Sequence, residues 1–161
     1  MELRDYQQDF LVDEAVKVSF FAADDQLRKV LATNAATNVR VATLSELFKA
    51  KALVSAKRSK TRDWLDLYLL MRDHGFSMRD YRAVFEEVGS PAECDTGLSR
   101  LCSGVPQRND EGYAQLLPSP PALAEMKSFF EAQRAKLEID IAAEAKRQNS
   151  SPPTKTGGEG K

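Results

Sequence analysis

Alternating apolar and polar residues predict a small sheet in the first quarter of the chain. The segment "DFLVDEAVKVSFF" (9–21) shows this alternation in its second half and predicts two short strands joined by a turn. A shorter alternation in "NVRVATL" (38–44) predicts a third strand. Residues 22–32, between them, are typical of a short helix. We therefore expect a sheet of about three strands within residues 9–43.

After residue 44 the apolar residues recur at helical spacing. Tyr81, Val84, Phe85 and Val88 follow the i, i+3, i+4, i+7 pattern of one buried helix face. Similar spacing, together with capping residues at the starts, predicts helices at 45–57, 62–74, after Ser77, after Ser90 and from 120 to about 147. The predicted fold class is α+β, with the small sheet followed by a bundle of four to five helices (45–147).

Length and composition predict one domain with a tail. A chain of 161 residues suits a single domain, which we place at 1–147. Residues 148–161 are rich in polar residues, proline and glycine, a composition that predicts a disordered tail.

The cysteines and the first residues of the chain bear on its compartment. The start "MELRDYQQDF" lacks the cationic and apolar regions of a secretory signal, and no apolar run approaches the length of a membrane span. With only Cys94 and Cys102, free thiols in a reducing cytoplasm are favoured over a disulfide. A single histidine and two cysteines also make a zinc site improbable, so no metal ligands are assigned.

Charge is balanced over the whole chain but concentrated in one segment. The 23 basic and 24 acidic residues nearly cancel, which argues against nucleic-acid binding by bulk charge. Residues 47–62, however, contain no acidic residue. Their six cations, which we call the basic corner, are Lys49, Lys51, Lys57, Arg58, Lys60 and Arg62. The corner is a candidate phosphate-binding surface, and a solvated basic face is the alternative.

Lys51 is the most informative member of the basic corner. At 100° per residue, it falls on the side of its helix that also carries Leu47, Phe48 and Val54. A buried ammonium costs several kcal/mol unless it meets an anion. Lys51 therefore reaches solvent past the edge of the core, pairs with a carboxylate, or lines a pocket for an anionic ligand.

Asp63 raises the same question on the next helix. It shares a side with Leu67 and Leu70, and Asp66 lies one turn further on. A structural role would explain its identity, because Asp63 suits an N-cap position, with Asp66 at N3 near the positive end of the helix. Orientation of a bound ligand or of Lys51 is the functional alternative.

The spacing of these residues resembles the late motifs of a known family. Lys51 is followed by Arg58 at plus seven, by Arg62 and Asp63 at plus eleven and twelve, and by Asp66 at plus fifteen. This segment, "KALVSAKRSKTRDWLDLYLL", is similar to the lysine and RDxxD motifs of the AbiEii/AbiGii toxin family of nucleotidyltransferases. That family has the DNA-polymerase-β-type nucleotidyltransferase fold.

The resemblance extends over roughly residues 5–90 and implies roles for the matching positions. "VKVSFF" and "NVRVATLSELF" lie in the expected order ahead of the lysine. By this resemblance the catalytic residues are Lys51, Asp63 and Asp66, and the nucleotide-binding residues are Lys51, Arg58, Lys60 and Arg62. It also implies Mg²⁺ and a nucleoside triphosphate as cofactors if the protein is active, an RNA or protein acceptor, and a cognate antitoxin.

The chain also departs from the family pattern. No glycine–serine turn followed by aspartates is present, and "VKVSFF" has Ser19 where a carboxylate is expected. Two-metal nucleotidyl transfer needs carboxylate oxygens to hold Mg²⁺. We therefore expect a truncated or degenerate member that is inactive as this chain alone. Dimerisation through an exposed sheet edge, or docking of a missing amino-terminal half, would cover that edge. The alternative function is a non-enzymatic module that binds nucleic acid or protein through residues 49–62.

Overall fold

Two strands followed by six helices make up the part of the chain that the computed structural model describes, residues 7–31 and 41–149. The elements are β1 (Gln7–Val12), β2 (Val16–Phe21), α1 (Asp25–Val30), α2 (Leu44–Ser55), α3 (Thr61–His74), α4 (Met78–Val88), α5 (Pro91–Ser103) and α6 (Leu123–Asn149). The predicted α+β class is thereby confirmed, and the predicted bundle of four to five helices is seen as the five helices α2 to α6.

Two predictions can be checked only in part, because some of their residues lie outside the described ranges. Of the expected third strand, residues 38–40 lie outside them, whereas residues 41–43 form no strand and Leu44 already begins α2. Of the expected tail, α6 includes residues 148 and 149, and residues 150–161 lie outside the described part. The division into one domain and a tail stays a prediction.

The two strands form an antiparallel hairpin with one exposed apolar face. Phe10 pairs with Val18, and Val12 pairs with Val16, so these side chains share a face. Phe10, Val12, Val16 and Phe20 are between 46% and 62% exposed, and the rings of Phe10 and Phe20 meet edge to face at 5.7 Å. An isolated hairpin of this kind is only marginally stable in water.

Dimerisation through this hairpin stays a prediction that gel filtration can check. Pairing with a second copy would cover the apolar face and the free strand edges, so we expect a dimer at high protein concentration. Replacement of both Phe10 and Phe20 by serine should return the chain to a monomer, because the paired faces would lose their aromatic contacts. A wild-type chain that elutes as a clean monomer at high concentration would contradict the idea.

The core lies among helices α2 to α6, with α3 at its centre. Trp64, Leu67, Tyr81, Phe85 and Phe130 are almost fully buried there. Burial of such large side chains supplies most of the stabilisation of the bundle, at about 25 cal/mol for each Å² of apolar surface removed from water.

Capping side chains fix where three of the six helices begin, with Asp24 at α1, Thr43 at α2 and Ser77 at α4. Ser77 accepts a hydrogen bond from the Asp80 backbone and forms a capping box with it, so the predicted start of α4 is confirmed. Ser90 occupies the N-cap position of α5 but makes no capping bond. Its hydroxyl instead accepts from Gln26 Nε2 at 3.0 Å, which joins α1 to the α4–α5 corner.

Contacts from distant residues hold the turn between α2 and α3. Arg100 donates to the Ala56 carbonyl at the end of α2. Asp110 accepts from Thr61 at its backbone nitrogen (3.0 Å) and at its hydroxyl (2.6 Å). The irregular segment 104–122 therefore caps the start of α3 and fixes the corner on which the basic residues lie.

Candidate functional site

Asp63 joins two cations at the corner between α2 and α3. It is 2% exposed, and its Oδ1 lies 2.9 Å from Lys51 Nζ. Arg58 donates to the same carboxylate through two nitrogens, with Nε 2.8 Å from Oδ2 and Nη2 3.2 Å from Oδ1. Lys51 Nζ also lies 2.6 Å from Asp66 Oδ2. Lys51, Arg58, Asp63 and Asp66, the four-residue cluster, thus converge as their spacing predicted.

The predicted capping role of Asp63 is wrong. The N-cap of α3 is Lys60, the helix begins at Thr61, and Asp63 stands at the third helical position. Because Asp110 already satisfies the backbone of Thr61, the Asp63 carboxylate is available to Lys51 and Arg58. Its position in the first turn still favours a negative charge.

The environment keeps both partners of the central ion pair charged. Burial raises the pKa of Asp63, but hydrogen bonds from Arg58 and Lys51 outweigh it and hold that pKa below its ordinary value. Burial lowers the pKa of Lys51, but hydrogen bonds to Asp66 and Asp63 outweigh it and raise that pKa above its ordinary value. Pairing with carboxylates, one of the three alternatives for Lys51, is therefore present in the structure.

A concave pocket of about 380 Å³ opens beside the four-residue cluster. Its walls come from β2, the α2–α3 corner, the first turn of α3 and the segment 104–122. The lining residues are Lys17, Ser19, Lys51, Arg58, Lys60, Arg62, Asp63 and Glu111. Five cations face two carboxylates in what we call the basic pocket, so its lining carries a net positive charge at neutral pH.

The structure divides the basic corner into two groups. Lys51, Arg58, Lys60 and Arg62 line the basic pocket. The other two residues lie elsewhere and pair with acidic residues of other elements, Lys49 with Glu87 and Lys57 with Asp24. This division separates pocket cations from ordinary surface ion pairs, which contribute little to stability.

Two predicted residues, Arg62 and Asp66, have additional or different surroundings. Arg62 donates from Nε to the Gly112 carbonyl at 2.7 Å, and its Nη1 lies 3.5 Å from Glu111. Asp66 contacts Lys51 but is not among the lining residues of the basic pocket.

Sequence reasoning missed Lys17 and Glu111. The alternation in β2, which places Lys17 and Ser19 on one face, could have indicated a shared position for these two residues. No local signal identifies Glu111, because its place depends on how segment 104–122 packs against α3.

The chemistry of this arrangement suits an anion. A pocket with lysine and arginine side chains is typical of phosphate binding, in which lysine acts as a point charge and arginine can form paired hydrogen bonds.

The described residues do not fit a metal site. They contain no group of three or more histidine, cysteine, aspartate or glutamate residues placed to hold an ion, and both oxygens of Asp63 already accept from cations. Mg²⁺ is bound through oxygen ligands that remain available to it.

Comparison with known proteins gives one family. The family model described as "Nucleotidyl transferase AbiEii toxin, Type IV TA system" matches residues 7–156, which extends well beyond the resemblance seen over residues 5–90. Searches of curated proteins and of solved structures give no match. Within the ranges 7–31 and 41–149, no helix has the length and apolarity needed to cross a membrane.

Proposed function

The chain belongs to the AbiEii nucleotidyl transferase toxin family, and on this premise we propose that its basic pocket binds the phosphate groups of a nucleoside triphosphate. The observation that carries the proposal is the convergence of Lys51 and Arg58 on the buried Asp63 at the wall of a pocket lined by five cations. A carboxylate that is 2% exposed holds both cations in place before a ligand arrives, which lowers the entropy cost of binding.

The cations and the carboxylates of the site have different roles in this proposal. Lys51, Arg58, Lys60 and Arg62, which all line the basic pocket, contact phosphate oxygens. Asp63 and Asp66, which the resemblance counts as catalytic, act here as positioning residues for Lys51. A lysine held between two carboxylates keeps its charge and its direction, whereas a free lysine would lose rotamer entropy on binding.

We further propose that this chain alone does not transfer a nucleotide. Nucleotidyl transfer in this family implies Mg²⁺, and the carboxylates that would hold it are not found among the described residues. The sequence likewise contains no glycine–serine–aspartate motif, and Ser19 stands at the position where a carboxylate was expected. The acceptor, an RNA or a protein, and a cognate antitoxin remain proposals that derive from the family.

Nucleotide titration of two matched lysine variants tests phosphate binding. Lys60→Gln removes a cation that lines the basic pocket, whereas Lys57→Gln removes an exposed cation of the same corner that pairs with Asp24 instead. We expect Lys60→Gln to weaken the binding of nucleoside triphosphates by about tenfold, which corresponds to roughly 1.4 kcal/mol. Lys57→Gln should leave the affinity unchanged. Isothermal titration calorimetry measures both.

Two outcomes would count against the proposal. Absence of binding by any nucleotide to the folded chain would remove the nucleotide site, and nucleotide transfer by the chain alone would remove the proposed inactivity. Equal losses for both lysine variants, together with salt-sensitive binding to RNA, would instead favour the alternative function, a nucleic-acid-binding surface spread over residues 49–62.

A further inference from the structure

We propose that Glu111 selects ribonucleotides, by accepting hydrogen bonds from the ribose hydroxyl groups of a ligand in the basic pocket. A nucleotide then binds in one direction, with its outer phosphates toward Lys51 and Arg58 and its sugar toward Glu111. This inference rests on the proposed function and makes it more specific, because it states how the described residues choose among polyphosphate ligands.

The two carboxylates that line the basic pocket differ in how firmly they are held. Asp63 is 2% exposed, and its oxygens accept hydrogen bonds from Lys51 and Arg58. The Glu111 side chain is 64% exposed, and its Oε2 lies 3.5 Å from Arg62 Nη1, beyond the usual length of a hydrogen bond. An exposed ion pair of this kind contributes little to stability. Of the two carboxylates, Glu111 is therefore the one that a ligand can engage at low cost.

The backbone on either side of Glu111 is anchored to the first turn of α3. Asp110 accepts two hydrogen bonds from Thr61, and the Gly112 carbonyl accepts one from Arg62 Nε at 2.7 Å. The Gly112 nitrogen donates to Asp110 Oδ1 at 3.2 Å, and Gly112 has a φ of +73°, a conformation that favours glycine. Glu111 thus has a fixed place in the pocket wall while its side chain stays exposed. An acceptor held ready in this way lowers the entropy cost of binding.

The chemistry of a carboxylate at this place suits a sugar and not a phosphate. Two anions repel each other, so phosphate groups are favoured beside the pocket cations and disfavoured beside Glu111. An ionised carboxylate accepts hydrogen bonds and donates none, and the ribose hydroxyl groups are the donors that a nucleotide carries next to its phosphates. In dinucleotide-binding folds, an aspartate or glutamate holds a ribose hydroxyl in this way.

The contacts of Arg62 agree with this direction of binding. Arg62 lines the basic pocket together with Lys51 and Arg58, and it is also the residue that Glu111 contacts. The phosphate that carries the sugar then meets Arg62 while the sugar hydroxyls meet Glu111. An inorganic polyphosphate has no hydroxyl group to offer at Glu111 and experiences only the repulsion.

Calorimetry with matched ligands and matched variants tests this inference. The full chain is titrated, at low salt and without divalent cations, with ATP, inorganic tripolyphosphate and dideoxyATP, which keeps the base but lacks both ribose hydroxyls. We expect the wild type to bind ATP about tenfold tighter than dideoxyATP, because the analogue leaves the acceptor without its donors. In Glu111→Ala this difference should vanish, and tripolyphosphate should bind about threefold tighter because the repulsion is gone.

The matched control is Glu138→Ala. The Glu138 side chain is 63% exposed and pairs with Arg134 on α6, and it is not among the lining residues of the basic pocket. This variant removes the same charge from an equally exposed position, so it should leave the affinities for all three ligands unchanged.

The outcomes separate this inference from the function on which it rests. Equal wild-type affinities for ATP and dideoxyATP would overturn recognition of the sugar and leave phosphate binding intact. A preference for ATP that persists in Glu111→Ala, or an equal gain for all three ligands in that variant, would also overturn it. The equal gain would mean that Glu111 only repels anions. Failure of both ATP and tripolyphosphate to bind the folded wild type would overturn the proposed function, and this inference with it.

Discussion

Replacing Gly97 with alanine is expected to lower the free energy of unfolding by about 3 kcal/mol. A Cβ atom at this position of α5 would lie 2.0 Å from Tyr81 Oη and 3.1 Å from Ser55 Oγ. Tyr81 is fully buried, and its hydroxyl lies 2.6 Å from Ser55 Oγ. Either the ring or α5 must therefore shift, which strains the buried hydrogen bond. Urea unfolding monitored by circular dichroism measures the change.

The sign of this change separates packing from helix propensity. In an exposed helix interior, alanine is more favourable than glycine by roughly 1 kcal/mol, so propensity alone predicts stabilisation. The double variant Tyr81→Phe/Gly97→Ala is the matched control, because it removes the oxygen that the new methyl group would meet. We expect it to be more stable than Gly97→Ala alone. A single variant as stable as the wild type would show that α5 shifts freely at this contact.

The success of the fold prediction followed the strength of each local signal. The hairpin alternates over a full strand and α4 carries both a capping box and a helical stripe, so each was predicted correctly. The strand predicted at 38–44 rested on a short alternation that ran into the start of α2. There, Thr43 forms a capping box with Glu46, and residues 41–43 form no strand. A reciprocal pair of hydrogen bonds outweighed a brief alternation of valines.

At the candidate site, too, features set by neighbouring residues were predicted correctly, whereas contacts from residues far along the chain were not. Helical periodicity placed Lys51 and Asp63 on facing sides of successive helices, and they do meet. The capping assignment of Asp63 failed because Asp110, 49 positions away from Thr61, takes that role. Nothing near Asp63 in the sequence indicates that a later loop will cap its helix, and the inclusion of Glu111 in the pocket depends on the same loop.

Replacing Asp63 with asparagine is expected to lower the free energy of unfolding by about 3 kcal/mol at neutral pH. The amide keeps the shape of the carboxylate but removes its charge, and its NH₂ group would face a donor of Arg58. We place the loss at the low end of the range for broken buried ion pairs, because Arg58 is 47% exposed and Lys51 keeps Asp66 as a partner. Chemical denaturation measures it.

The matched control for this variant is Asp66→Asn. Asp66 contacts the same lysine but has a side chain that is 36% exposed, so its loss should cost clearly less. Equal effects at the two positions would contradict the central role of Asp63 and would imply that Lys51 depends on either carboxylate alike.

The pH dependence of the Asp63→Asn effect gives an independent test of the ion pair. The folded-state pKa of Asp63 is lowered, so its contribution to stability is present above the unfolded pKa, near 3.9, and is lost as pH falls through the folded value. The folded-state pKa of Lys51 is raised, so its contribution is present below about 10.5 and is lost as pH rises through the folded value. The difference in stability between wild type and Asp63→Asn should therefore be flat from about pH 5 to about pH 9 and shrink on either side. A difference that persists unchanged in acid would mean that Asp63 stabilises the corner by shape alone, and a carboxylate without that charge could not hold Lys51 and Arg58 ready for phosphate.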